Sequence, residues 1–176
     1  GNLSEVKSAI KSGVSPNFAY DNTSPLINAI NNGNFEVVEF LLFNGADVNK
    51  SVDDTYPLDT AINFEFDLDE LDEFKMLNLL LKAGVDLNVS TGDKGQSYLS
   101  LCIDYADYST LIMAKALINA GADVNIQDND GMTALMYAAQ SDTDILRALL
   151  DAGADPKIKD KSGKTAYAYS LVASNE

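Results

Sequence analysis

Five times the chain returns to one short phrase, and this recurrence constrains the fold more than any other feature. Gly13-Val14-Ser15-Pro16-Asn17 comes back as Gly45-Ala46-Asp47-Val48-Asn49 and as Gly84-Val85-Asp86-Leu87-Asn88. It comes back again as Gly121-Ala122-Asp123-Val124-Asn125 and, eroded, as Gly153-Ala154-Asp155-Pro156-Lys157. The glycines are 32, 39, 37 and 32 residues apart. A period in that range denotes stacked supersecondary units, each burying its apolar face against its neighbours. Such a chain is expected to hold something rather than to enclose a reaction.

A second phrase keeps step with the first. Ser24-Pro25-Leu26-Ile27-Asn28-Ala29 is echoed by Tyr56-Pro57-Leu58-Asp59-Thr60-Ala61 and Ser97-Tyr98-Leu99-Ser100-Leu101-Cys102. Thr133-Ala134-Leu135-Met136-Tyr137-Ala138 and Thr165-Ala166-Tyr167-Ala168-Tyr169-Ser170 follow. This is helix-start chemistry: a hydroxyl accepts from free N–H groups, and proline fits the first turn, where its missing N–H has no partner. Between the two phrases lies a second apolar run, such as Phe35, Val37, Val38, Phe40, Leu41 and Leu42. It is too crowded for a single stripe, which predicts a helix covered from two sides. The glycine after it reads as a C-cap with left-handed backbone.

Each unit is therefore expected to be helix, tight turn, helix and returning loop. In these two phrases, in order and in register, the chain resembles the ankyrin repeat family over essentially its whole length. The resemblance implies an all-α solenoid of helix-turn-helix units joined by hairpin-like loops, in a single domain. The expected divisions are an N-terminal half repeat at 1–19, repeats at 20–50, 51–89, 90–126 and 127–158, and a C-terminal cap at 159–176. The opening residues match the middle of a repeat, since Gly1 to Val6 aligns with Gly33 to Val38.

The sequence departs from the family pattern in two ways. It contains no histidine. The T-P-L-H position holds Ile27, Asp59, Ser100, Met136 and Ala168, so looser or more apolar packing between repeats is expected. Two repeats carry insertions, about seven residues near 65–72 and about three near 106–108. The lone cysteine, Cys102, occupies a small-residue slot and reads as a buried structural thiol.

Charge narrows the partners. There are 27 acidic and 12 basic residues, a net charge of −15. Residues 51–74 carry nine acids and no base, whereas Lys157, Lys159, Lys161 and Lys164 cluster near the far end. An acidic body repels nucleic acid and anionic lipid and favours encounter with a basic protein. Neither nucleic acid nor membrane is expected as a partner. The bland alternative is that the charge serves solubility alone.

Catalysis has little to stand on. The commonest general base is missing and no phosphate-binding glycine loop is present, so no enzyme, catalytic residue or cofactor is expected. Asp128-Asn129-Asp130-Gly131 resembles a fragment of a calcium loop but lacks its closing glutamate. It sits where the family has a hairpin turn, so no metal is expected there. Asp67, Asp69 and Asp72 offer a cation cluster, yet Asp67 to Glu70 reads as a helix N-cap with acid in the first turn, and the cap is the favoured reading.

In the family, partners meet the hairpin tips and the exposed, concave side of the first helices. Carried over by register, the partner-binding positions are Asn32, Asn63, Phe64, Asp104, Tyr105 and Gln140 on the helices. On the tips they are Asp54, Thr55, Lys94, Asn129 and Met132. Phe64 and Tyr105 precede the two insertions and are the aromatic anchor candidates. The reading is a non-catalytic protein–protein interaction module, monomeric or weakly dimeric, with a cytoplasmic setting as the working expectation. Two alternatives stay open: an acidic inhibitor of the immunity-protein type that neutralises a basic enzyme such as a toxin nuclease, and a self-associating scaffold or stress-related protein.

Overall fold

The computed structural model describes residues 2–63, 70–105, 110–140 and 143–173. They form two compact units, Gly1–Asp86 and Leu87–Glu176. Among the described residues there are ten helices and one two-stranded hairpin. The all-α expectation from the repeat phrases is met.

The first unit holds α1 (Leu3–Lys11), α2 (Pro25–Asn31), α3 (Phe35–Phe43), α4 (Pro57–Asn63) and α5 (Glu70–Lys82). First helices stack on first helices, α2 on α4, and second helices stack as α1, α3 and α5. Within each repeat the pair closes, α2 on α3 and α4 on α5. The core between them is Leu26, Ile30, Val38, Leu41, Leu58, Met76 and Leu80, all essentially without solvent contact. The run from Phe35 to Leu42 is thus covered by α1, α2 and α5, as its crowding implied. Of the longer insertion, residues 70–72 extend the start of α5; the rest of it, and the shorter one at 106–108, lie outside the described residues.

The second unit repeats the scheme. It holds the hairpin β1 (Ser90–Thr91) and β2 (Gln96–Ser97), then α6 (Tyr98–Tyr105), α7 (Thr110–Asn119), α8 (Ala134–Ala138), α9 (Thr143–Asp151) and α10 (Ala166–Ala173). First helices stack as α6, α8 and α10, and α7 packs on α9. Leu99, Ile103, Ala114, Leu117, Leu135, Met136, Ile145 and Leu149 fill the space between. Cys102 is buried in the slot its position implied.

The helix starts use the expected chemistry only in part. Ser24 Oγ accepts from Ile27 N at 3.2 Å, and Ser97 Oγ accepts from Ser100 N at 3.2 Å. At α4 the cap residue is Tyr56, and the third helical residue supplies the bond instead: Asp59 accepts from Tyr56 N at 2.8 Å. This is one half of a capping box. Thr133 has the cap backbone but makes no side-chain cap bond. The C-terminal glycines behave as expected. At the end of α3, Gly45 has φ +86, and Ala46 N reaches back to Leu41 O at 2.9 Å, the closing bond of a Schellman turn.

The tie between repeats is polar, where the missing histidine suggested looser or more apolar packing. It is carried by the asparagine that ends the recurring phrase. Asn17 donates from Nδ2 to Gly45 O at 2.9 Å and accepts from Asp47 N at 2.7 Å. Asn49 does the same to Gly84 O at 3.2 Å and Asp86 N at 2.7 Å. In the second unit Asn88 accepts from Asp123 N at 2.9 Å, and Asn125 joins Gly153 O at 3.4 Å and Asp155 N at 2.8 Å. The aspartate between holds its own loop: Asp47, Asp123 and Asp155 each accept from the N–H two residues on at 2.9 Å. The whole phrase is then explained. Glycine reverses the chain, aspartate sets the turn, and asparagine reads the reversed backbone of the next repeat with one donor and one acceptor.

Asn49→Ala removes both bonds at once and is expected to destabilise the protein by about 1–2 kcal/mol, seen as a lower urea midpoint. Asn49→Asp should not restore it, because a carboxylate cannot donate to Gly84 O. Recovery of wild-type stability by Asn49→Asp would contradict the donor role.

Candidate binding surface

The hairpin tips are built in two ways. In the first unit they are two-residue turns. Tyr20 pairs with Thr23, and Val52 with Thr55, each through two backbone bonds of 3.0–3.2 Å. The central residues Asp21, Asn22, Asp53 and Asp54 all have φ between +52 and +57. Left-handed backbone at both positions is the signature of a type I′ turn, in which Asp and Asn are the best non-glycine residues. The turn therefore presents Asp53 and Asp54 outward, with Thr55 beside them, all three exposed.

In the second unit the tips are four-residue turns, stitched to one another. Asn129 N donates to Lys94 O at 2.8 Å, and Lys161 N donates to Asp130 O at 2.9 Å. Asn129 Nδ2 adds a bond to Asp93 O at 3.2 Å. At Gly131 the contact is with backbone, so glycine is required there; at Gly95 it is with the movable end of the Asn129 side chain. A Cβ on Gly131 would lie 2.9 Å from Lys161 N and 3.0 Å from the Asp160 Cα, and one on Gly95 would lie 2.8 Å from Asn129 Oδ1. The Asp128 carboxylate is spent inside its own turn, on Asp130 N, Met132 N and the Tyr137 hydroxyl at 2.9, 2.8 and 2.6 Å. Asp160 repeats the arrangement with Ser162, Lys164 N and the Tyr169 hydroxyl. Among the described residues no three acidic or cysteine side chains gather as metal ligands.

These tyrosines lie nine residues after their aspartates. The Tyr169 hydroxyl above all holds the Asp160 carboxyl down at about 2; burial opposes it, and the Lys164 N–H and Ser162 support it. Tyr137 is pushed well above the ordinary phenol value, first by burial and then by its bond to Asp128.

The residues picked out by register separate into groups. Lys94, Asp104 and Tyr105 come together. Lys94 Nζ and Gln96 Nε2 both reach Asp104 Oδ2, at 2.9 and 3.0 Å. Bonding to Asp104 and its charge raise the Lys94 ammonium pKa. The pair is exposed and adds little to stability, but it fixes two opposite charges beside Tyr105, which is 65% exposed. Asn129 joins this group through its bonds to Asp93 and Lys94. Gln140 is exposed and donates to Met136 O at 3.2 Å, and Met132 is half-buried with its backbone bonded to Asp128. In the first unit Asn32 is exposed and held by Asn28 O and Oδ1 at 2.7 Å. Asn63 closes α4, with its side chain outside the described set, and Phe64 lies outside it altogether.

Among the exposed aromatics that register did not pick out is Phe43, at the end of α3, which is 89% exposed. The equivalent positions hold Lys11, Lys82, Asn119 and Asp151. Aligning the repeats column by column marks Phe43 as the apolar exception.

The comparisons with known proteins identify the repeat. The family model for ankyrin repeats in three copies matches residues 68–160, and the single ankyrin repeat matches residues 21–54. The chain belongs to the ankyrin repeat family, whose repeats serve generally as protein–protein interaction modules. It is 24% identical over 142 residues to the ankyrin repeat and KH domain-containing protein mask-1 of Caenorhabditis elegans, over 67% of this chain and 5% of that protein. It is 35% identical over 85 residues to the neurogenic locus Notch protein of Drosophila melanogaster, over 48% of this chain and 3% of that protein. The chain thus spans only a small fraction of either relative. No helix among its described residues is long and apolar enough to cross a membrane.

The Asp160 carboxyl titrates below its ordinary value, so its folded-state bonds stabilise the protein above about pH 4. That contribution falls away as pH drops through about 2. Tyr169→Phe removes the main cause and should raise the Asp160 pKa toward 3.8. A carboxyl-carbon NMR titration reads this directly. An unmoved pKa would mean the backbone and Ser162 bonds hold the carboxylate without the tyrosine.

Proposed function

We propose that the chain is a non-catalytic protein-binding module that takes a basic partner on the exposed ends of its first helices and its hairpin tips. The observation that carries this reading is the charge placed on those tips. The first unit has fifteen acidic and five basic side chains, against twelve and seven in the second. Its type I′ turn turns Asp53 and Asp54 outward, while the buried Asp128 and Asp160 of the second unit are spent on internal bonds. The contact set is Asp54, Thr55, Asn32, Asn63 and Phe64 in the first unit. In the second it is Lys94, Asp104, Tyr105, Asn129, Met132 and Gln140. The acidic tips steer the approach, and the exposed Tyr105 supplies the desolvated contact. A basic enzyme neutralised by this chain is the narrower form of the same reading.

Capture from the source lysate at low salt, followed by binding of the purified partner, tests it. A basic protein should be retained and released by moderate salt, because screening shortens the reach of the acidic tips. Tyr105→Ala should weaken the purified pair by about 2 kcal/mol, roughly thirtyfold in Kd. Asp53→Lys with Asp54→Lys should slow association about tenfold and flatten its salt dependence. Partners bound equally by the wild type and both variants would remove this surface from consideration.

A further inference from the structure

Equivalent positions of α3 and α5 carry opposite charges. The two are second helices of successive repeats, and Gly45 and Gly84 set them 39 residues apart in register. Glu36 then corresponds to Lys75, Glu39 to Asn78 and Phe43 to Lys82. Between the helices runs an open groove of about 610 Å³. Exposed Glu36 and Glu39 line one wall, and exposed Lys75, Asn78 and Lys82 line the other. Half-buried Phe35 and Leu79 give the groove its apolar part. Phe43 stands one turn beyond Glu39 on the same face of α3 and is 89% exposed.

Among the described residues no ion pair joins the two walls. The lining holds two acids and two bases, so the groove is neutral on a chain of net charge −15. Two copies of so acidic a chain repel in most orientations, and a neutral face is where they approach at least cost. The phenylalanines of α3 already seat ammonium groups. Lys7 Nζ lies 5.6 Å from the Phe40 ring centre and Lys75 Nζ 4.6 Å from that of Phe35. Among the described residues no ammonium lies over Phe43.

The register selects the occupant. A two-fold axis along the groove turns α3 of one copy onto α5 of the other and sets each residue opposite its own equivalent. Glu36 then meets Lys75, Glu39 meets Asn78 and Phe43 meets Lys82. These are an ion pair, an acceptor with a donor and a ring with an ammonium, each formed twice, as an isologous contact requires. A two-fold axis across the groove would set the glutamate wall against itself.

We propose that the α3–α5 groove is a self-association site, occupied by the same groove of a second copy of this chain about a two-fold axis along it. The seven lining residues and Phe43 make a small patch by the measure of specific interfaces, so the dimer is weak. This goes beyond the proposed function, since it uses the second helices rather than the first-helix ends and tips, and takes a copy rather than a basic partner.

Sedimentation equilibrium of the whole chain tests it, at protein concentrations up to about 0.5 mM. Salt at about 0.15 M screens charges more than about 8 Å apart and so quiets the general repulsion between copies. The wild type should rise from monomer toward dimer mass with concentration. Glu36→Lys with Glu39→Lys should stay monomeric, and so should Lys75→Glu with Lys82→Glu, because like charges then face each other. All four side chains are exposed, so thermal melting should stay unchanged. An equal mixture of the two charge-reversed variants should recover the dimer, since each supplies the charge the other lacks. Phe43→Ala should weaken the wild-type dimer and the mixed dimer at least about tenfold. Asp53→Lys with Asp54→Lys should not weaken either. A wild type that stays monomeric throughout would overturn the proposal and leave the groove to a helix of another protein. Dimers that persist in both charge-reversed variants, or a mixture that stays monomeric, would overturn it as well. None of these results bears on Tyr105 or the acidic tips, so the two readings fail separately.

Discussion

The asparagine bridge is the interaction on which the rest of each unit depends. Helix stacking alone leaves the units free to slide or rotate, because apolar contacts are not directional. One side-chain amide supplies the missing direction. It accepts from one backbone N–H and donates to one carbonyl of the next repeat, and both lie on the loop that a glycine has just reversed. The glycine is needed because that reversal lies at positive φ, and the aspartate is needed because it holds the reversed loop by a bond two residues on. Three residue types recur together because they make one device.

The two units then diverge at the opposite edge. Two-residue turns in the first unit leave short tips whose carboxylates point outward. Four-residue turns in the second end in glycine, and at Gly131 that glycine lets the next turn lie directly on it. The same change draws Asp128 and Asp160 inward, where tyrosines from α8 and α10 complete their bonding. One edge is therefore acidic and open, and the other is stitched, with lysines at its end. A family that binds proteins by surface rather than by pocket gains its specificity from such differences, not from the shared fold.

The architecture was legible because it rests on local chemistry. Prolines, hydroxyls and glycines at fixed offsets declare helix starts and ends, and apolar crowding declares coverage from two sides. What escaped was non-local or contextual. Asn49 recurs visibly, but its partners Gly84 and Asp86 lie a whole repeat away, so the pattern shows a role without showing the bond. Thr133 holds the cap position and backbone without a side-chain cap bond, while Asp59 caps from the other direction. The absence of histidine suggested looser or more apolar packing, whereas asparagine already carried a polar tie. At the candidate surface, Lys94 pairs with Asp104 beside Tyr105, a grouping that register alone did not show. Phe43 was overlooked because it sits inside an apolar run, and only comparison with Lys82, Asn119 and Asp151 sets it apart.

If the asparagine bridges carry the coupling between repeats, the amides they accept from should resist exchange although they lie in exposed loops. Native-state hydrogen exchange at Asp47, Asp86, Asp123 and Asp155 measures this most directly. Protection close to that of the neighbouring helix ends, lost together on unfolding of the unit, is the expected result. Exchange at the rate of an open loop would contradict it, and would return the coupling to apolar stacking alone.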